Sequence, residues 1–273
     1  MQLLYVLYRW VLMIYFFAWL VVTGVDASTS GFGAKYLIYL TYWAFLVWNL
    51  YLIVAAVSTT VQFLQIHFQF CKPNEAQNDL MDYQKVHLIH ASGTSWFNKV
   101  HWIFFTLGTE LAVGVSILFW LFFYDSEKAD FLFSPIILHV HMINGISALV
   151  DLWIVSIPIR LLHVIYPISF GLIYAAFTGF YYAFNGTDIS GNHYIYPILD
   201  YDSNPGMAAR LLVGCILGYL TAIHFLFFLI YMARNWITEN VVSGRSRSRS
   251  GSPYAVNAEL SEMESTDCQK LLA

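Results

Sequence analysis

The sequence predicts an all-α fold, a multi-pass transmembrane helix bundle of about six spans with both termini cytosolic. Three observations predict it. The 273-residue chain is 59% hydrophobic and only 11% charged, where an ordinary soluble domain is about 25% charged. Its mean hydropathy is +0.60. Aromatic residues make up 18% of it, in keeping with the gathering of Trp and Tyr where hydrocarbon meets headgroups. The formal net charge of -4 is spread along the chain, which speaks against a nucleic-acid surface.

Crossing the hydrocarbon takes about 20 mainly apolar residues, and the runs near 4–23, 36–57, 100–123, 135–157, 163–184 and 207–233 qualify. The first resembles a cleavable leader, with small residues Ala27 and Ser28 after it. It has no basic flank before Arg9, however, and its apolar body is long for a leader, so it is read as a span. A cytosolic N-terminus puts Lys72, Lys85, Lys99, Arg160, Arg234, Arg245, Arg247, Arg249 and Lys270 inside and only Lys35, Lys128 and Arg210 outside, Arg9 lying within the first span. Positive residues are retained on the cytosolic side, which selects that orientation. The sequon Asn185-Gly186-Thr187 then faces outward as a glycosylation candidate.

Residues 1–235 form the expected membrane core and 236–273 a flexible cytosolic tail, because "GRSRSRSGSP" and the acidic, serine-bearing stretch after it cannot bury a core. Asp267 with Leu271 and Leu272 has the spacing of an endosomal sorting signal, implying an endocytic adaptor as partner. Cys71, Cys215 and Cys268 imply no disulfide framework. Gly214 and Gly218 form a GxxxG pair suited to close helix approach, within the bundle or in a homo-oligomer.

The stretch "ILHVHMINGISALVD" at 137–151 puts polar groups in oil, where each costs about 2.5–3.5 kcal/mol unless paired or functional. His139 and His141 are two apart and point to opposite sides of a helix, so they do not chelate one ion together, and no metal site or cofactor is expected. By contrast His141, Asn144, Ala148 and Asp151 follow i, i+3, i+7 and i+10, one stripe that should face the bundle interior. At 1.5 Å per residue His141 lies about 9 Å below the outer surface and Thr41 about 8 Å, a shared level. Asn49, Glu110, Asp151 and His224 fall at a second, inner level. There they act as hydrogen-bonded glue or, alternatively, as a proton or ion path.

A histidine within hydrogen-bond reach can take a threonine's proton and make it a nucleophile. A lipid ester reaching the Thr41–His141 level sideways from the bilayer would then be the substrate. The competing reading has Thr41 bonded back to its own helix and His141 a satisfied interior residue.

The segments "YVLYRW" (5–10), "YLTYWAFLVWNLYL" (39–52), "HMINGISALVDLWIVSIPIRLLHVIYPISFGLIYAAFTGFYY" (141–182) and "YIYPILDY" (194–201) resemble the Rolling stone family, named for an insect protein implicated in myoblast fusion. The resemblance implies a multi-pass protein of the plasma membrane acting in cell fusion during muscle development. More distantly, the chain is similar to the androgen-inducible membrane hydrolases, which cleave fatty acid esters of hydroxy fatty acids with an intramembrane threonine and histidine. The "YLT" at 39–41 and the ten-residue interval from His141 to Asp151 match that family. That likeness implies Thr41 as nucleophile and His141 as base. The preceding histidine, His139, stands two rather than three positions before His141, a departure from the hydrolase pattern. Three functions follow as expectations: a membrane protein of cell fusion, a lipid-ester hydrolase, and an ion or proton carrier.

Overall fold

The computed structural model describes residues 2–70, 96–122 and 133–248. Asp267, Leu271 and Leu272, the end of the tail, Cys71 and Cys268 lie outside the described residues. Among those described there is no strand, and six helices are long and apolar enough to cross a membrane. They are α1 (Gln2–Thr29), α2 (Leu40–Phe70), α3 (Trp96–Phe122), α4 (Pro135–Ile154), α5 (Ile165–Ala183) and α6, which starts at Pro205 and continues to Ser248. The helical run of α6 passes Trp236, where the tail is expected to begin.

The start of α6 follows from local chemistry. Asn204 caps it by accepting the Met207 N–H, and Pro205 holds the first helical position, where no N–H is needed. At the far end of α5, Asn185 adopts a left-handed conformation (φ 56°), and Gly186 follows with its N–H on the Tyr181 carbonyl at 2.8 Å. A Cβ on Gly186 would sit 2.5 Å from the Tyr181 ring. The Asn-Gly of the sequon is therefore a helix stop, and Asn185 is exposed there.

α3 is the axle. Residues 108–116 are buried all round, the pattern of a helix enclosed by others. A Cβ on Gly108 would lie 3.0 Å from Tyr51 Cβ, and one on Gly145 would lie 2.6 Å from Ser116 Oγ, so glycine lets α2 and α4 come in against α3. Gly214 and Gly218 have nothing within 4 Å of an added Cβ, so their pair seats no helix of this bundle.

Two polar clamps set the helices. Arg9 on α1 is 1% exposed and donates from Nη1 to Asp151 Oδ1 on α4 at 2.7 Å. The hydroxyl of Tyr8 donates to the same oxygen and that of Tyr51 to Oδ2, while Arg9 Nη2 rests on Tyr5 at 2.7 Å. In the second clamp His224 on α6 lies between Glu110 on α3, 2.7 Å from Nδ1, and the Arg160 carbonyl, 3.0 Å from Nε2. A carbonyl only accepts, so Nε2 carries the hydrogen and Nδ1 shares a proton with Glu110. Arg234 on α6 donates to the carbonyls of Leu152 and Val155. The non-helical stretch 155–160 thus has its first and last carbonyls bonded by α6 and turns Val155, Ile157 and Ile159 inward, in keeping with irregular backbone at membrane depth being buried in protein.

Arg9 and Arg234 both reach residues 151–155, so the start of α1 and the last turns of α6 lie at one end of the bundle, the clamp end. Segments 30–39 and 184–204 lie at the other, the loop end. Arg9→Met should destabilise the bundle by about 3–5 kcal/mol, because Asp151 would be left charged and unpaired. Arg9→Met with Asp151→Leu should recover most of that loss, as read by thermal unfolding in detergent.

Candidate functional site

A cavity of about 740 Å³ opens in the loop-end half of the bundle, walled by parts of all six helices and by segments 30–39 and 184–204. Its walls are mostly apolar, with Leu111, Val115, Phe170, Gly171 and Ile216 at depth. Volume and lining fall within the range of small-molecule pockets. Thr41 and His141 both line it. Each of the two residues therefore borders this space.

α4 presents its two histidines differently. Residues His139–Ile143 form a π-helical turn inside the span, a local widening that recurs at functional positions. His139 is fully engaged. Its ring stacks on Trp19 at 3.4 Å, Nδ1 meets the Pro135 carbonyl at 2.6 Å and Nε2 meets the Tyr15 hydroxyl at 2.5 Å, which pins α4 to α1. His141 is 6% exposed and stacks on Phe119 at 3.6 Å, yet its Nδ1 has no partner. One turn further, Asn144 is 1% exposed and its Oδ1 is also without a partner. Buried polar atoms in native proteins are nearly always paired. Trp48 Nε1, His101 Nε2, Glu110 Oε2 and His163 Nδ1 are bare as well, but among the described residues with such an atom only His141 lines the cavity.

A second π-helical turn, Gly214–Tyr219 in α6, supplies Cys215, Ile216 and Tyr219 to the opposite wall. Tyr219 donates to the Gly114 carbonyl at 2.7 Å, tying that wall to α3. Both widened turns therefore border the same cavity.

Thr41 sits at the start of α2, half-buried, and its hydroxyl is hydrogen-bonded to Tyr196. The Tyr196 oxygen also accepts the Leu40 N–H at 2.9 Å. Burial pushes the Tyr196 hydroxyl up to about 12, against the pull of its hydrogen bonds, so it stays protonated at ordinary pH. Pro197, Ile198 and Leu199 follow it along the cavity, and Tyr201 bonds to Thr178 of α5 at 2.8 Å. The segment "YIYPILDY" is the roof of the chamber. Residue-by-residue reading singled out Thr41 but passed over Tyr196, whose signal was an aromatic-rich, proline-bearing segment in an outer loop.

The remaining sequence-predicted residues divide. The stripe His141, Asn144, Ala148 and Asp151 is buried throughout. The inner level does not form one cluster. Glu110 joins His224, whereas Asp151 joins Arg9 and the tyrosines. Asn49 joins neither, because its amide bonds back to the Phe45 carbonyl of its own helix at 2.9 Å, a reach that a short polar side chain makes easily. Among the described residues no hydrogen bond links Thr41 directly to His141. No group of three or more His, Cys, Asp or Glu among them is placed to hold a metal ion.

Three comparisons with known proteins bear on the chain. The family model described as "Rost: Protein rolling stone" matches residues 1–256. The chain is similar to "Protein rolling stone" of Drosophila melanogaster, 28% identical over 214 residues, which cover 78% of this chain and 72% of that protein. No solved structure matches it.

Tyr196→Phe should loosen the roof by removing the acceptor of Leu40 and the partner of Thr41. A loss of about 1–2 kcal/mol is expected, together with faster amide hydrogen exchange at the start of α2.

Proposed function

The chain belongs to the Rolling stone family, and on that premise we propose that it is a multi-pass protein of the plasma membrane, termini cytosolic, that binds a lipid ester in the loop-end chamber and cleaves it. The observation that carries this reading is His141, buried in the chamber wall with an unpartnered Nδ1 and sharing that wall with Thr41. The reaction is an acyl transfer. Thr41 Oγ attacks the ester carbonyl while His141 accepts its proton, and the alcohol then leaves with that proton, giving an acyl-threonine. Water, deprotonated by His141, attacks the acyl-threonine, and His141 returns that proton to Thr41 Oγ as the bond to it breaks and the fatty acid is released. Tyr196 acts as a positioning residue, holding the Thr41 hydroxyl at the helix start and available as a donor to the developing oxyanion.

The cell-level reading is a part in cell fusion during muscle development, supported by the family resemblance. The two readings describe one protein at two scales, since cleaving a membrane lipid changes the packing of the leaflets that must merge. Disrupting the gene in fusion-competent muscle precursors should lower the fraction of multinucleate cells, and restoring a His141→Gln form should fail to rescue.

Purified protein in lipid nanodiscs should release fatty acid from a long-chain ester. Thr41→Ala or His141→Gln should each lower turnover by about 10²–10⁴-fold, while Glu239→Gln, on the exposed far end of α6, should leave it unchanged. Turnover unaffected by either chamber substitution would remove the proposed pair.

A further inference from the structure

The mouth of the chamber has a chemical character of its own. Where the depth is lined by Leu, Val, Ile and Phe, the loop end is lined by Asp26, Tyr36, Tyr39 and Tyr42. The rings of Tyr36 and Tyr42 pack edge to face at 87° with centroids 4.9 Å apart, both half-buried on the cavity lining. Asp26, from the last turns of α1, is half-buried close enough to Tyr42 for the two to interact electrostatically. A second carboxylate on the lining, Asp188, is held ionised by Asn192, whose N–H and side-chain amide donate to it at 2.7 and 2.9 Å. Among the described residues no Lys or Arg lines the cavity. The nearest cation in this rim, Lys35, is committed to Thr187 Oγ1 and the Asp188 carbonyl, both at 2.9 Å.

We infer that the mouth is a headgroup site for a quaternary-ammonium amphiphile, whose trimethylammonium lies against the cavity side of the Tyr36–Tyr42 pair near the Asp26 carboxylate while its acyl chain fills the chamber below. The chemistry follows from three features. Ring faces attract a cation that cannot donate hydrogen bonds, and aromatic corners are the usual seat of such groups. A half-buried carboxylate adds charge attraction where water screens little. An anionic head is repelled by the same two aspartates, so a free fatty acid, the expected product, is the species the mouth holds least. A site that prefers the ester's cationic head over the acid also clears its product. The buried, unpartnered Nδ1 of His141 in the same cavity is an independent sign that the space is built for a ligand. This inference rests on the chamber reading and names its substrate class.

The test uses one diazirine-bearing acyl chain carried on three heads, trimethylammonium, hydroxyl and sulfonate, photolysed with the full chain in nanodiscs and followed by mapping of adducts. The trimethylammonium probe should label the chamber walls about tenfold more than the sulfonate probe, with the hydroxyl probe between. Asp26→Asn and Tyr36→Leu should each shrink that spread to about twofold or less, and Tyr36→Phe, which keeps the ring, should preserve it. Equal labelling of the chamber by all three heads overturns the headgroup site while leaving the chamber reading intact. A preference that survives both Asp26→Asn and Tyr36→Leu also overturns it. An absence of chamber adducts with every probe overturns the chamber reading and the headgroup site with it.

Discussion

A carboxylate in hydrocarbon must be compensated, and the bundle is arranged around compensating Asp151. Its two oxygens receive a guanidinium and two phenol hydroxyls brought from α1 and α2. Removing a charge from water costs several kcal/mol even after relaxation, and only close, well-directed donors repay it. That requirement fixes the azimuth of α1 about its own axis, since Arg9 must point at α4. It also ties α1 into the bundle, because without α1 Asp151 would lose its cation.

The same economy governs the clamp end. Helix α4 stops at Ile154 and the chain continues as extended backbone, which would leave carbonyls unsatisfied beneath the membrane surface. Arg234 and His224 of α6 take three of them, those of Leu152, Val155 and Arg160. Arg160, whose carbonyl His224 holds, lays its own guanidinium over Trp102 of α3 at 5.7 Å. Three helices are thus tied through one irregular stretch by side chains that would be prohibitively costly alone.

Much of this was legible in the residues, and the exceptions have physical reasons. Span positions follow from length and hydropathy, which need no knowledge of neighbours. The inward stripe on α4 follows from helical periodicity, which fixes which residues share a face. Periodicity does not say which helix that face meets, so Asp151 was grouped with Glu110 and His224 by depth alone, and Arg9 was recognised as lying in the membrane without being given a partner. Asn49 shows a second limit, because a side chain at the right depth can be satisfied by its own backbone. Tyr196 shows a third. Its partners Leu40 and Thr41 are more than 150 residues away in sequence, and only the folding of segment 184–204 over the start of α2 brings them together. That Thr41 and His141 line one cavity, by contrast, accords with a count of rise per residue from the starts of two helices that both enter at the loop end.

The chamber lies where the clamps do not. Ion pairs and carbonyl-capping arginines occupy the clamp-end half, and glycine-mediated contacts bind α2 and α4 to α3 through the middle. With that half rigid, the loop-end half can tolerate what a stable core normally excludes: an open cavity bordered by widened turns in α4 and α6. Local departures from good packing persist when the surrounding structure over-determines them, and they concentrate where a protein meets its ligand. The two histidines of α4 condense that division into three residues. His139 uses both nitrogens and one ring face to hold α4 against α1. His141, two residues on in the same widened turn and free of that duty, leaves its Nδ1 unpartnered at the chamber lining.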